Sequence, residues 1–503
     1  MEQLRLHVAD LSHLLPELTL VAAAIILSLL DLSLPKSVSR KVIGWLALVG
    51  VIVSGVFVVL QLNPAEPIQL MNQSYRVDDF GNILKLILLT GTGFVIFMSL
   101  GSVKEDDIPH IGEYYYFLLP AVLGGMVMAS SGDLITLFVG LELLSITSYL
   151  LVAMKKHHHQ SNEGAFKYIV MGGISSALIL YGMSFLYGIS GSTNLMQIAG
   201  SLSGTIGSYQ PLVYMAFFLL IAGFGFKIAA APFHSWAPDV YQGAPTPVSA
   251  FLAVVSKAAG FAILFRVFYV LFAFSAFENS SIQKDVFLTL EVMAAIAMIA
   301  GNAIALKQTN MKRLLAYSGI ANAGYLIVPL STYFGLVHTS NFSEFIFYLI
   351  AYLFMNIGAF AVLMIIERSA GHTELNGYAG LYYRAPFTAV AMVLIVLSLA
   401  GIPVSGGFFG KLYILLGTME THKYWLGAVM IISSVVSFYY YFGVIRQMFM
   451  RSDYESAQVK VSIPLGITAW LCALIGLALG FMPQLVLKGI EHIFSLAGDL
   501  LVR

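Results

Sequence analysis

The stretch GFGFKIAAAPFHSWAPD, from Gly223 to Asp239, joins the end of a long apolar run to a short polar segment. Lys227 lies in its apolar half, and Pro232 and His234 follow closely. Proline cannot continue a regular helix without losing a backbone hydrogen bond. Irregular backbone at membrane depth is tolerated only against protein or water. The stretch therefore predicts a membrane helix that breaks inside the protein, with a lysine beside the break.

The composition of the whole chain indicates an integral membrane protein. Of its 503 residues, 59% are hydrophobic and 10% are charged, whereas soluble domains carry about 25% charged residues. The formal net charge of zero excludes a basic surface for nucleic acid. The single Cys472 excludes an internal disulfide and any cysteine-held metal or iron–sulfur site. The N-terminus lacks the layout of a signal peptide, so we expect the first apolar segment to be retained.

Apolar segments of membrane-spanning length recur along the sequence. They predict an all-α polytopic membrane protein with about 14 transmembrane helices. The predicted spans are 14–34, 41–61, 80–101, 114–130, 132–153, 164–189, 212–242, 246–273, 286–306, 313–332, 344–367, 386–420, 424–450 and 461–483.

The seventh and twelfth spans are too long and too interrupted to be simple helices. The seventh carries Pro232 and Pro238, and the twelfth carries GIPVSGGFFGK, which ends at Lys411. Each is the fourth span of a block of five, and an odd number of spans inverts the second block. We therefore predict two inverted five-helix repeats, the layout of many secondary transporters. The alternative is that glycine and proline are simply common in membrane helices.

This pattern divides the chain into four predicted parts. The predicted parts are an N-terminal three-helix segment (1–110), a first repeat (111–275), a second repeat (283–452) and a C-terminal helix and tail (453–503). With the N-terminus outside, most loop Lys and Arg residues fall on the inner side, as the positive-inside rule requires. We expect a multi-pass protein of a bacterial cytoplasmic membrane with both termini on the outer side.

Ionisable side chains inside predicted spans are the candidate functional residues: Glu142, Lys167, Lys227, Lys257 and Lys411. Each Lys or Asp at a helix centre costs about 2.5–3.5 kcal/mol, and such residues usually mark ion pathways. A lysine can release a proton, whereas an arginine stays charged. A structural ion pair is the alternative for Glu142, and an amine that reaches to the membrane surface is the alternative for Lys167.

Lys257 is the clearest member of this set, and His234 is one further candidate. Lys257 lies in the middle of AFLAVVSKAAGFAILF, so its amine would have to cross half the bilayer to reach the surface. His234 follows the first break and could relay a proton near neutral pH, unless it is a loop histidine bonded to backbone. His157 to His159 fit a solvated inner loop better than a metal site, and Tyr439 to Tyr441 fit packing and the interfacial belt. No nucleotide-binding motif is present.

At these residues the chain resembles a known family. KIAAAPFHSWAPDVYQGAPTPVSAFLAVVSK (Lys227 to Lys257), MKRLLAYSGIANAGY (from Met311) and LELLSITSYLL (from Leu141) resemble signatures of the antiporter-like membrane subunits of respiratory complex I. The resemblance covers nearly the whole chain. Lys411 and the short C-terminal region favour the N type of these subunits. One departure is Ser318-Gly319, where many members have two serines.

The resemblance implies a function and a set of roles. It implies a proton-translocating membrane subunit of a complex I-type NADH:quinone oxidoreductase, with Glu142, Lys227, Lys257 and Lys411 in a chain along the membrane midplane. Lys167 would lie near Glu142. We also expect His234 to lie on the path by which water reaches the first helix break. NAD, FMN, iron–sulfur clusters and quinone would reside in partner subunits, which would include antiporter-like neighbours and small membrane subunits, surrounded by lipid.

Two other readings remain open at this point. The chain can belong to a multisubunit cation/proton antiporter without redox coupling, although PDVYQGAPTPV favours the complex I type. A purely structural membrane scaffold is disfavoured by the buried lysines, since it needs none of them.

Overall fold

The computed structural model describes residues 8–35, 37–64, 66–104, 107–273, 281–332, 341–450 and 459–494. Helices α1 to α19 follow one another within these ranges. Their bounds are Leu15–Ser33, Lys41–Leu60, Asp79–Ser102, Ile111–Ala129, Leu134–Val152, His159–Ser190, Leu195–Lys227, Ala237–Gly243, Thr246–Phe251, Lys257–Phe268, Ser281–Ala305, Met311–Ser331, Asn341–Ala370, Leu381–Arg384, Pro386–Ala400, Gly406–Glu420, Tyr424–Met450, Ile463–Phe481 and Pro483–Ile493. Short 3-10 helices span Val8–Leu14 and Leu375–Tyr378, and π-helical segments span Leu252–Ser256 and Tyr269–Ala273.

The helices have the length and composition of membrane spans. Within the described ranges, 13 helical segments are long and apolar enough to cross a membrane, and Pro386–Ala400 is a shorter apolar helix. The predicted all-helical, multi-pass architecture is confirmed. The number of crossings, predicted as about 14, stays a prediction because the broken segments do not count as simple spans.

A small β-hairpin between α2 and α3 is the element that the sequence did not predict. Strand β1 (Ile68–Leu70) pairs antiparallel with β2 (Tyr75–Val77), and the turn residues Met71, Asn72 and Gln73 have positive φ angles of 50°, 55° and 69°. Strands of three residues are too short to display an alternating pattern, so the sequence carries little signal for them.

The first helix break lies where the opening stretch predicts it. Helix α7 ends at Lys227, residues 228–236 are not helical, and α8 begins at Ala237. The carbonyls at the end of α7 find partners within the break: the Phe226 carbonyl accepts from Trp236 Nε1 at 3.0 Å, and the Phe224 carbonyl accepts from the Ile228 N–H at 3.0 Å. These bonds satisfy backbone groups that a helix end leaves open.

The second break separates α15 from α16. Gly401 adopts φ +82°, and the side chain of Ser405 caps α16 by accepting the Phe408 N–H at 3.3 Å. Gly407 lies against the Ser398 carbonyl, and a Cβ there would collide with it. The glycines and the serine of GIPVSGGFFGK therefore allow the chain to turn tightly inside the bundle.

Each break falls in the fourth helical rod of a predicted five-helix block, counted from α4 and from α11. This order agrees with the predicted repeats, but their inverted relation and the division into 1–110, 111–275, 283–452 and 453–503 stay predictions. The limits at 275 and 452 and the tail beyond 494 lie outside the described residues.

The centre of the bundle consists of the rod that begins with α9, together with α12 and α13. Their apolar windows are 100%, 94% and 89% buried within the protein, whereas those of α2 and α6 are 33% buried. Polar side chains on the central helices therefore face protein rather than lipid.

Candidate proton-carrying site

Lys227 of α7 contacts a serine of α5 that lies one turn from Glu142. The Lys227 Nζ donates a hydrogen bond to the Ser145 Oγ at 2.8 Å. Ser145 is one turn from Glu142 on the same face of α5. Glu142 accepts a hydrogen bond from Ser176 of α6 and acts electrostatically on Lys227. The Ser145 hydroxyl itself donates to the Leu141 carbonyl at 2.7 Å. Lys227 therefore reaches the turn of α5 next to Glu142, but no described hydrogen bond joins the two residues.

Lys257 occupies the most enclosed position of the predicted set. It is the first residue of α10, directly after the π-helical turn Leu252–Ser256, and only 2% of it is exposed. Its Nζ donates to the Gly319 carbonyl of α12 at 2.5 Å and lies 5.6 Å from the ring centre of Tyr352. π-helical turns inside α-helices are frequent at functional sites.

Gly319, at which the chain differs from the two serines of many members of the family that it resembles, forms this contact. A Cβ at residue 319 would be 3.0 Å from the Lys257 Nζ and 3.1 Å from the Tyr352 hydroxyl. Glycine therefore leaves the carbonyl directly accessible to the amine.

Lys411 of α16 is bound at the second helix break, whereas Lys227 bonds a serine of α5. Its Nζ donates to the Leu399 carbonyl at 3.0 Å and to the Ala400 carbonyl at 3.4 Å, both at the end of α15. The amine also lies 4.9 Å from the ring centre of Tyr325. Carbonyls at a helix C-terminus carry partial negative charge, so this position favours a cation.

These three lysines differ from the other cations buried among the described residues. Lys85 forms an ion pair with Glu17 at 2.8 Å, and Arg266 binds Asp78 through two bonds of 2.8 Å. Lys227, Lys257 and Lys411 contact hydroxyl and carbonyl oxygens, and within the described ranges none of them forms an ion pair. Loss of a proton from any of them would leave no carboxylate unpaired.

Lys167 of α6 forms ion pairs, and its predicted place near Glu142 stays a prediction. Its Nζ is 2.7 Å from Glu163 Oε1 and 2.7 Å from Asp239 Oδ2, and its side chain is 40% exposed. None of the described contacts joins it to Glu142. Partial burial raises the pKa of Asp239, but hydrogen bonds from Lys167 and Arg313 outweigh this effect and hold the pKa below its usual value. Lys167 and Asp239 therefore tie α6 to α8 at the end of the bundle.

His234 lies in the non-helical segment between α7 and α8. It is half-buried, and its ring centre is 6.5 Å from that of Tyr317. Its Nδ1 has no hydrogen-bond partner among the described residues. Its role as a proton relay stays a prediction.

A cluster of buried polar side chains, which sequence reasoning missed, lies between Lys257 and Lys411. Ser318 and Tyr441 share a hydrogen bond of 2.5 Å, and Tyr348 donates to the Asn322 side chain. Around this cluster, Tyr440 donates to Asn302 at 2.9 Å.

The interpretation of Tyr439 to Tyr441 as packing and interfacial residues fits Tyr439, which is 73% exposed. Tyr440 and Tyr441 are buried, as packing residues are, but they also form hydrogen bonds that the interpretation did not include. The sequence signal that could have revealed this cluster is the pair of small polar residues Ser318 and Asn322, which are spaced one turn apart on α12.

A polar cavity of about 490 Å³ opens at one end of the rod that carries Lys257. Thr246, the first residue of that rod, donates a hydrogen bond to Glu367 of α13. Lys155 and Lys312 approach the same carboxylate at 3.8 and 4.0 Å. We call this space the inner cavity, because the sequence places its basic residues on the inner side.

In the described part of the chain, no group of three or more His, Cys, Asp or Glu side chains is arranged to hold a metal ion. His157, His158 and His159 are exposed, and His159 lies 3.8 Å from Glu163.

Residues 131–437 match the family model described as NADH:quinone oxidoreductase/Mrp antiporter, TM. Two curated relatives are named NADH-quinone oxidoreductase subunit N. That of Paenibacillus sp. (strain JDR-2) is 52% identical and covers 98% of this chain and 98% of its own length. That of Brevibacillus brevis (strain 47 / JCM 6285 / NBRC 100599) is 49% identical over 97% of this chain and 96% of its own.

Solved structures share the fold across two kinds of assembly. A chain of respiratory complex I from Thermus thermophilus with bound aureothin is 30% identical, with a TM-score of 0.79, over 95% of this chain and 100% of that chain. A chain of the Mrp complex from Dietzia sp. DQ12-45-1b is 18% identical, with a TM-score of 0.80, over 98% of each. At 18% identity, the second likeness concerns the fold alone.

Proposed function

The chain belongs to the NADH:quinone oxidoreductase/Mrp antiporter family of membrane proteins, and from this membership we propose that it is a proton-translocating membrane subunit of a complex I-type NADH:quinone oxidoreductase. It is similar to subunit N over almost its full length. A cation/proton antiporter without redox coupling is not favoured, because the relatives that are 52% and 49% identical are named NADH-quinone oxidoreductase subunit N.

Within such an assembly, this chain's contribution is proton transfer rather than electron transfer. Its single cysteine cannot hold an iron–sulfur cluster by itself. NAD, FMN, iron–sulfur clusters and quinone are accordingly assigned to partner subunits, where quinone reduction supplies the free energy. This chain adds side chains that change protonation state inside the membrane.

The observation that carries the proposal is the contrast among buried cations. Lys85 and Arg266 are fixed in ion pairs, whereas Lys227, Lys257 and Lys411 contact only neutral oxygens within the described ranges. A lysine of the second kind can lose and regain a proton without stranding an opposite charge in the membrane. Such a residue suits a carrier better than a structural element.

The steps follow from the contacts of each amine. The charge of Glu142, one turn from Ser145, stabilises a proton on Lys227, and a movement of α5 away from α7 weakens that effect. Lys257 receives and holds the proton at the Gly319 carbonyl, and Lys411 does so at the end of α15. His234 and the inner cavity provide polar groups on the way to the first two amines. Lys167 acts at the edge of the path by positioning α8 through Asp239.

Co-purification tests the assembly directly. The chain would be tagged, extracted mildly from its native membrane, and its partners identified by mass spectrometry. Flavin and iron–sulfur subunits are the expected partners. Small membrane subunits without any redox protein would instead assign the chain to the cation antiporters and overturn the redox part of the proposal.

A further inference from the structure

Lys257 and Lys411 are held by different helices, and the groups that separate them are polar. Lys257 contacts α12 through Gly319, whereas Lys411 contacts the end of α15 and the ring of Tyr325. No described contact joins the two amines. A proton that passes between them therefore needs an intermediate group.

We propose that the hydroxyl pair of Ser318 and Tyr441 is the relay through which a proton passes between Lys257 and Lys411. This inference rests on the proposed function and adds to it the residues of one transfer step. Tyr348 and Asn322 position the pair and are not themselves required to pass the proton.

The position of the pair supports this role. Ser318 is the neighbour of Gly319, whose carbonyl accepts the Lys257 amine at 2.5 Å. Tyr441 comes from α17, so the bond of 2.5 Å between the two hydroxyls joins α12 to α17. Helix α17 also packs against α16, which carries Lys411. Both residues are buried away from lipid and water.

The chemistry of the pair also fits. A serine or tyrosine hydroxyl is both a donor and an acceptor, so it can receive one proton while releasing its own. Either oxygen can be the donor in the Ser318–Tyr441 bond. A transfer reverses the direction of this bond, and rotation of the hydroxyls resets it. One proton enters and one leaves, so neither group retains a charge.

The surrounding groups hold the hydroxyl pair of Ser318 and Tyr441 in place. Asn322 donates to the Ser318 carbonyl at 2.8 Å and to its Oγ at 3.3 Å, while accepting from Tyr348. The Tyr348 ring packs against Gly410, the sequence neighbour of Lys411. The contact is so close that a side chain at residue 410 would collide with the ring.

On the other side, the Tyr352 hydroxyl is buried beside Lys257 without a hydrogen-bond partner among the described residues. Buried polar groups of this kind are usually satisfied by ordered water. Water bound there would join Lys257 to the relay.

Tyr441→Phe and Ser318→Ala, made in the full complex, test the relay because each removes one hydroxyl with little change of shape. We expect each to slow NADH-driven proton pumping in membrane vesicles by at least tenfold. Because both remove the same link, the double variant should lose no more than either single variant. Tyr439→Phe removes an exposed hydroxyl from the same helix, and Tyr114→Phe removes a buried hydroxyl of α4 that bonds Ser99 outside the relay. Both controls should pump normally.

The outcomes separate the relay from the wider proposal when Lys257→Met is measured in parallel. Normal pumping by Tyr441→Phe with impaired pumping by Lys257→Met overturns the relay and leaves the lysine chain intact. Normal pumping by Lys257→Met overturns the lysine chain itself. Additive losses in the double variant, or an equal loss in Tyr114→Phe, would mean that general packing is disturbed, and would also overturn the relay. If a variant assembles poorly, pumping is scaled to the amount of assembled complex, and Ser318→Thr, which keeps a hydroxyl, should restore it.

Discussion

Replacing Lys257 by methionine removes the titratable amine at the centre of the proposed path and little else. Methionine is unbranched and of similar length, so it can occupy the space in which the lysine stem lies. The Gly319 carbonyl loses one hydrogen-bond donor, at a cost of about 1 kcal/mol. No carboxylate among the described residues loses an ion-pair partner. The complex should therefore assemble.

Proton transfer through the variant should nevertheless be slow. A charge held at the centre of a membrane helix costs about 2.5–3.5 kcal/mol even on the mildest scale, and the variant offers no amine to hold it. A barrier raised by about 3 kcal/mol slows a step roughly 100-fold. Lys257→Arg should be impaired as well, because an arginine keeps its proton.

The assay is the rate of proton pumping driven by NADH in membrane vesicles, scaled to the amount of assembled complex. Lys284→Met, which changes an exposed residue of α11, is the matched control and should pump normally. An assembled Lys257→Met complex that pumps at the wild-type rate would refute the reasoning, and so would a Lys257→Arg variant with full activity.

Three further substitutions test other parts of the site. Glu142→Gln should reduce pumping by about tenfold, because the Lys227 amine loses its electrostatic partner; loss of assembly in Glu142→Ala with normal pumping in Glu142→Gln would mark the carboxylate as structural. Lys167→Met should reduce pumping less than Lys257→Met does, since exposed ion pairs contribute only about 0–1 kcal/mol; an equal loss would return Lys167 to the transfer path. Glu367→Gln should slow pumping by leaving Lys155 and Lys312 uncompensated at the inner cavity, whereas Asp107→Asn at its rim should not; equal rates in the two variants would contradict a role for Glu367.

The broken helices could be predicted from sequence because their causes are local. Pro232 and the glycines from Gly401 to Gly407 disrupt the helix wherever the chain is placed. Lys227, Lys257 and Lys411 could be identified for a similar reason, since a charge within an apolar run stands out without knowledge of its neighbours.

Partners in space could not be predicted in the same way. Lys167 and Asp239 are 72 positions apart, so only the packing of α8 against α6 brings them together. Ser318 and Tyr441 are 123 positions apart, and neither is unusual in a membrane helix by itself. Whether the two residues meet depends on how each helix is rotated about its own axis. A helix that is apolar on all its faces hardly specifies that rotation in its sequence. The hairpin of β1 and β2 was missed because its strands are too short for a pattern.

The most direct measurement of the central claim is the number of protons pumped per NADH by the assembled complex in which Lys227, Lys257 and Lys411 are all replaced by methionine. If these amines carry protons, the ratio falls below that of the wild-type complex, or NADH oxidation stops together with pumping. A triple variant that assembles, oxidises NADH and pumps the wild-type number of protons would contradict the claim.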